Sequence, residues 1–367
     1  MTATTPVALD YVSKLAPYIP GKPIEDVARE LHLDPATIVK LASNENPRGP
    51  SPKVLAAIAA AAADITRYPD GYGYHLKDAL ASRLEVSPAQ LVLGNGSNDI
   101  LELATMAYLK PGDAAVYSQH AFAVYPLATH ARGATGIEVP AKDLAHDLSA
   151  MRAAITPATR IVFVANPNNP TGTWIAPDVL RAFVASVPPD VVVVLDEAYN
   201  EYLDAERQAH ATRWIGDHPN LVVSRSFSKA YGLAALRVGY GVMDATVADL
   251  LNRVRQPFNV NALAQAAALA ALADTDYVDE SRRINRAGLA QLAAGFAKLG
   301  LTALPSHGNF VLVKVGDAAR VNAALLRQGI IVRPVANYGL PEWLRITVGL
   351  PEENDRFLAA LAVALRA

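Results

Sequence analysis

The stretch Leu221-Val222-Val223-Ser224-Arg225-Ser226-Phe227-Ser228-Lys229-Ala230-Tyr231-Gly232-Leu233 decides how the rest of the sequence is read. Its first three residues are branched and apolar, the texture of a buried strand. A lysine therefore falls just past a strand end, with hydroxyls at Ser226 and Ser228 before it and a glycine after it. In α/β folds that edge is where ligands bind. An amine placed there suits a residue that condenses with an aldehyde cofactor as a Schiff base. On its own such a lysine is more often a solvated loop residue, so the remaining sequence has to decide. Arg237-Val238-Gly239-Tyr240 follows shortly after and adds a cation.

Working outward, short apolar runs at 90–93, 114–117, 136–139, 160–164 and 191–195 precede the 221–223 strand. Helical patterns at 76–84, 100–108, 147–155 and 177–187 lie between most of them. Continuous Val/Ile/Leu strands alternating with helices indicate an α/β fold with a mostly parallel sheet covered on both faces. Upstream, Ser51-Pro52 opens a helix with an N-cap serine and a proline at the first helical position. The loop Arg67-Tyr68-Pro69-Asp70-Gly71-Tyr72-Gly73-Tyr74 is unusually rich in tyrosine. Beyond residue 257 the texture changes to long helices at 261–273 and 276–299, then strands near 309–314, 330–333 and 344–348 with helices between and after them. The expected division is an N-terminal arm over 1–40, a large domain over 41–255 and a smaller α+β domain over 256–367.

Composition narrows the function classes. A net charge of −2 gives no electrostatic case for nucleic acid or an anionic membrane. The chain has no cysteine, which removes disulfides, thiolate metal sites and cysteine nucleophiles and fits a reducing cytosol. Apolar runs such as 56–63 fall far short of the ~20 residues that span a bilayer, and 1–10 shows no secretory signal. The expectation is a cytoplasmic protein acting on small molecules, with no metal.

Four stretches fall at expected strand ends. Gly94-Asn95-Gly96-Ser97-Asn98-Asp99 joins a strand to a helix, where small residues and a helix N-terminus favour an anion. It is neither a Walker loop nor a dinucleotide fingerprint. Asn166-Pro167-Asn168-Asn169-Pro170-Thr171-Gly172 forms a rigid polar corner. Asp196-Glu197-Ala198-Tyr199 closes an apolar strand, so its first carboxylate is buried and needs a cationic partner such as a protonated pyridine nitrogen. A structural salt bridge and a metal-binding carboxylate compete for that reading, and the missing Walker loop argues against the metal. The lysine stretch is the fourth. A phosphate cradle, a donor to a ring oxygen, a carboxylate and an amine together match what pyridoxal phosphate requires.

On Asn169-Pro170-Thr171-Gly172, Asp196-Glu197-Ala198-Tyr199 and Ser226-Phe227-Ser228-Lys229 through Arg237, the sequence resembles the fold-type I pyridoxal-phosphate aminotransferases along essentially its whole length. Through Leu15-Ala16-Pro17-Tyr18, Asn44-Glu45-Asn46-Pro47, Arg67-Tyr68-Pro69, Gly94-Asn95-Gly96-Ser97 and Leu344-Arg345-Ile346-Thr347-Val348-Gly349 it resembles more narrowly the histidinol-phosphate aminotransferase branch. The resemblance implies that Lys229 is the Schiff-base lysine and proton shuttle, and that Asp196 pairs with the pyridinium nitrogen. It implies that Asn169 and Tyr199 bond the ring oxygen, and that Ser97, Asn98, Ser226, Ser228 and Arg237 hold the phosphate. Phe122 stands where the ring is stacked, a place many relatives give to tyrosine. Tyr68 reaches the phosphate from the other subunit of a homodimer with shared active sites.

For substrate, the resemblance points to Arg345 as the clamp for the glutamate carboxylate, and to Arg333, Tyr18 and Tyr68 for the phosphate of the other substrate. It implies ping-pong transamination between L-histidinol phosphate and 2-oxoglutarate. The alternatives are an aromatic amino-acid aminotransferase, a decarboxylase of the same fold, and a cofactor-binding regulator without turnover.

Overall fold

The computed structural model describes residues 6–366; the first five residues of the N-terminal arm lie outside it. Seven strands make the main sheet. In spatial order they are Leu91–Gly94, Gly239–Val242, Leu221–Ser226, Val192–Asp196, Thr159–Ala165, Ala114–Ser118 and Thr135–Val139. Six run in one direction, and Gly239–Val242 runs antiparallel to both of its neighbours. Alternate residues of the central strands enter different cores. Val193, Leu195, Val162, Val164 and Val223 pack on one face, and Val194, Phe163, Ile161 and Val222 on the other. Both faces are covered, which is why these strands read as unbroken apolar runs rather than alternating ones.

Gly239–Val242 is a strand that the sequence reading did not anticipate. Its sequence, Gly-Tyr-Gly-Val, has weak strand propensity. Space explains the glycines. A Cβ on Gly239 would stand 2.5 Å from the backbone N of Ser97, and one on Gly241 would stand 2.7 Å from Met243 and 2.9 Å from Ile100. The helix Ser97–Tyr108 thus lies directly on this strand. The helix Ala245–Val254 was also unread; Asp244 caps it by accepting from the Thr246 N–H at 2.8 Å.

The second sheet is antiparallel, in the order Arg333–Val335, Leu340–Thr347, Phe310–Lys314, Thr302–Ala303. Its core holds Val311, Val313, Leu344 and Ile346 under the helices Thr275–Lys298, Ala318–Arg327 and Pro351–Ala364. The apolar run 330–333 is not one strand. Ile330–Ile331 pairs in parallel with Val39–Lys40 near the start of the chain, and Arg333–Val335 turns away into the four-stranded sheet. The helix Ala262–Ala273 buries Ala264, Ala267, Ala268 and Ala271 in the core of the main sheet. Alanines on that face let it approach closely.

Candidate active site

The main-sheet strands Val192–Asp196 and Leu221–Ser226 end side by side, and their last residues face a cavity of about 280 Å³. The antiparallel sheet closes the opposite wall through Arg333 and Arg345. Lys229 lies just past the second strand, partly buried in the cavity wall, and its Nζ donates to the carbonyl of Ser43 at 3.2 Å. Burial, reinforced by the positive charges of Arg345 and Arg237, brings its amine down to about 8 against the opposing pull of Glu45 and Asp196.

Asp196 is the last residue of its strand. Its Oδ2 accepts from the Tyr125 hydroxyl at 2.9 Å and its Oδ1 from the Ala198 N–H at 3.2 Å. Burial pushes its carboxyl up to about 6, although both hydrogen bonds work the other way. A buried carboxylate with only neutral donors is short of a cation. The neighbouring Glu197 points elsewhere and forms a buried ion pair with Arg225 at 2.8 Å. The carboxylate–arginine pairing expected of a structural salt bridge therefore belongs to Glu197, leaving Asp196 to the cavity.

Asn169 Oδ1 accepts from Arg345 Nη1 at 2.6 Å, so its amide N–H₂ is left for another partner. Arg345 Nη2 donates to the Ala42 carbonyl at 2.6 Å, and its Nε is buried without a partner. Tyr199 is buried against Phe310, with its oxygen accepting from Asn44 Nδ2 at 2.8 Å. Burial raises this phenol to about 12, with Arg345 and the Asn44 hydrogen bond opposing. Tyr199 therefore keeps its proton at neutral pH.

At the other end of the cavity, Ser97 and Asn98 occupy the first turn of the helix Ser97–Tyr108, one turn earlier than the sequence pattern suggested. Asp99 holds the preceding loop by accepting from the Asn95 N–H at 2.9 Å. Arg237 sits in the left-handed region at φ 58° and donates to Ser228 Oγ at 3.2 Å and to the Ala234 carbonyl at 3.0 Å. Ser226 Oγ accepts from the Ser228 N–H at 3.0 Å. Gly96 adopts φ 87°, a backbone conformation that suits glycine and that L side chains rarely take.

One cavity thus brings together Ser97, Asn98, Phe122, Asn169, Asp196, Tyr199, Ser226, Ser228, Lys229 and Arg237 with Tyr18, Arg333 and Arg345. Tyr68 is not among them. It is 83% exposed and stacks on Phe258 at 4.8 Å. Among the lining residues that sequence reasoning missed are Tyr125 and Asn44. Tyr125 lies one helical turn after Phe122 and packs edge-on against it, a spacing that was available but carried no chemistry by itself. Asn44 sits in the Asn44-Glu45-Asn46-Pro47 motif, which reads in the sequence as extended chain entering a turn.

A family model described as aminotransferase class I and II matches residues 36–361. The chain belongs to this family. Among its relatives, histidinol-phosphate aminotransferase 2 of Pseudomonas aeruginosa is 61% identical over 96% of both chains. Histidinol-phosphate aminotransferase 1 of Cupriavidus pinatubonensis is 59% identical over 98% of this chain and 97% of that one. A crystal structure of histidinol-phosphate aminotransferase from Sinorhizobium meliloti, in complex with pyridoxal-5′-phosphate, superposes with a TM-score of 0.91 at 31% identity, covering 100% of this chain and 99% of that one. The fold is fold-type I, and this member of the family is a pyridoxal-phosphate-dependent aminotransferase.

The residues present fit that cofactor. A helix N-terminus beside Arg237, an amine lowered to about 8, and a buried carboxylate without a cation line one cavity, the kinds of group that a phosphate, an aldehyde and a ring nitrogen require. None of the helices among the described residues is long and apolar enough to cross a membrane.

Proposed function

We propose that the chain transfers an amino group between L-histidinol phosphate and 2-oxoglutarate, giving imidazole-acetol phosphate and L-glutamate, as a step of L-histidine biosynthesis in the cytoplasm. The observation that carries this reading is the pairing of two cavity arginines. Arg333 and Arg345 lie opposite each other in register on neighbouring strands, both buried and both facing the cavity. Two anions of different shape alternate in such a reaction, a carboxylate from glutamate and a phosphate from the other substrate. An aromatic amino acid would bring only the carboxylate. The names of the relatives at about 60% identity support the same reading.

When bound, pyridoxal phosphate supplies an aldehyde that carries the amino group and a ring that accepts electron density from the substrate α-carbon. Lys229, neutral in a large fraction of molecules near pH 8, would hold that aldehyde through its amine and, once displaced by the substrate amine, would carry the proton to and from the substrate α-carbon. Asp196 would hold the ring nitrogen, Asn169 and Tyr199 the ring oxygen, and Phe122 one face of the ring. Ser97, Asn98, Ser226, Ser228 and Arg237 would hold the phosphate. Arg345 binds the α-carboxylate through its planar fork, and Arg333 with Tyr18 binds the substrate phosphate. Arg333 lies 5.7 Å from the Tyr18 ring centroid and donates to the Ile19 carbonyl at 2.7 Å, which ties the N-terminal arm to this end of the cavity.

The assembly we propose is a homodimer in which Tyr68 of the partner subunit completes each site. The exposed aromatic side chains of Tyr68, Tyr72 and Tyr74 support this. Residues 41–255 would carry the cofactor and 256–367 the substrate arginines. The deciding measurement is kcat/KM for L-histidinol phosphate against L-phenylalanine, each with 2-oxoglutarate. Histidinol phosphate is expected to lead by about 100-fold or more; parity, or a lead for phenylalanine, overturns the assignment.

A further inference from the structure

Asn44 has a backbone and a side chain that are both committed. It adopts φ 54°, in the left-handed region, and is 1% exposed. Its N–H donates to Thr347 Oγ1 at 2.9 Å, and its carbonyl accepts from Asn309 Nδ2 at 3.0 Å. The hydroxyl of Thr347, having accepted that N–H, turns its own hydrogen to Asn44 Oδ1 at 3.2 Å. In this arrangement Oδ1 is the acceptor toward Thr347 and Nδ2 the free donor. Nδ2 then donates to the Tyr199 oxygen at 2.8 Å.

A phenol has one hydrogen. With Asn44 donating to the Tyr199 oxygen, that hydrogen is excluded from the Asn44 side and turns toward the cavity that Tyr199 lines. The charged and titratable neighbours of Tyr199 are Arg345, Asp196, Tyr338 and Lys229. Asp196 Oδ2 already accepts from Tyr125, and Arg345 and Lys229 present donors. Because burial holds Tyr199 near 12, the hydrogen is there to be donated at neutral pH.

We propose that Asn44 is a positioning residue of this site: its amide sets the direction of the Tyr199 hydroxyl so that the hydrogen is presented to the ring oxygen of the cofactor. The inference rests on the reading above that Tyr199 faces that oxygen. Thr347 and Asn309 belong to the antiparallel-sheet side, so Asn44 also ties the orientation of a cofactor contact to the seating of that sheet.

The test uses the cofactor-loaded protein and reads the pH midpoint of the bound cofactor's visible absorbance, the cofactor dissociation constant, and the melting temperature of the cofactor-free form. Tyr199→Phe is expected to raise the midpoint by about one pH unit, a tenfold change in the underlying equilibrium. Asn44→Asp keeps the size and tolerates the left-handed backbone, but its carboxylate accepts from Tyr199 and draws the hydrogen away; its midpoint is expected to rise by a similar amount. Combining the two is expected to add nothing to Tyr199→Phe alone. Asn44→Gly, which suits positive φ and deletes the amide, gives a second reading in the same direction should the aspartate variant fold poorly.

An unmoved midpoint in both Asn44 variants beside a shifted one in Tyr199→Phe overturns this inference and leaves the role of Tyr199 standing, as does full additivity in the double variant. An unmoved midpoint in Tyr199→Phe overturns the role of Tyr199 and this inference with it. Lower melting with unmoved midpoints marks Asn44 as merely structural.

Discussion

Arg345 and Asn169 stand 176 residues apart in sequence and meet in a 2.6 Å hydrogen bond within the buried cavity wall. Through it, a residue of the antiparallel sheet orients the amide of a residue at the edge of the main sheet. A lysine at 345 can place one donor, not a fork, and cannot hold Asn169 and a carboxylate together. Arg345→Lys is expected to raise KM for glutamate by roughly 30- to 1,000-fold, the range for losing one partner of a buried charged pair. The half-reaction with glutamate, followed by the cofactor's absorbance, measures it. A KM within threefold of the parent removes Arg345 from the carboxylate site.

The depressed amine of Lys229 has a kinetic signature. Only the neutral amine attacks an aldehyde, so the rate at which cofactor-free protein takes up pyridoxal phosphate should rise with pH and level off above about 8. Stopped-flow absorbance from pH 6.5 to 9.5 reads the midpoint, and one near 10 contradicts a desolvated lysine. Lys229→Ala should lose the absorbance of lysine-attached cofactor and nearly all turnover.

Asp196 carries a stability cost in the cofactor-free protein. Its folded value of about 6 lies above the ordinary 3.8, so the folded state binds more protons than the unfolded state between those values. Its favourable contribution is complete below pH 3.8 and is lost as pH rises through 6. Asp196→Asn removes the buried charge, so at pH 7.5 the cofactor-free variant should melt at or above the parent. The gain is at most about 3 kcal/mol and should fade as the pH falls below 4. The same variant should bind pyridoxal phosphate far more weakly. Lower melting at pH 7.5 would mean that the Tyr125 hydrogen bond outweighs desolvation.

Arg333 and Arg345 should separate by substrate. Arg333→Gln is expected to lower kcat/KM for histidinol phosphate by about 100-fold while changing that for glutamate by less than about fivefold. Equal losses on both would show that the two guanidiniums act as one anion site.

Tyr68 allows a complementation test. Tyr68→Ala and Lys229→Ala are each expected to be poorly active alone. Mixed subunits would place an intact Lys229 opposite an intact Tyr68 in one of every two sites of a heterodimer. Recovery of about a quarter of the parent activity from an equal mixture is expected on random reassortment. No recovery, with mixed dimers present by mass, would argue against a shared site.

Strand-end chemistry was legible in the sequence because apolar runs buried on both faces stop abruptly at Asp196 and at Ser224, which puts polar residues at one edge of the sheet. The strand Gly239–Val242 was not legible, since its glycines answer to the nearness of Ser97 and Ile100 rather than to strand propensity. The run 330–333 hid a division between two sheets, which depends on Val39–Lys40 arriving from far upstream. Tyr125 and Asn44 escaped for a similar reason. Each acts by a hydrogen bond to a residue 71 or 155 positions away, and no local pattern encodes such a partner.

The parallel pairing of Val39 with Ile330 also sets an order of events during synthesis. The seven strands of the main sheet, Asp196 and Lys229 are all synthesised before Ile330, Arg333, Arg345 and Thr347. Until they arrive, Val39–Lys40 has no strand to join and Asn44 no hydroxyl to hold it. A product terminated in that interval would carry Lys229 without Arg333 and Arg345, and its 39–47 segment would lack both its strand partner and the Thr347 hydroxyl.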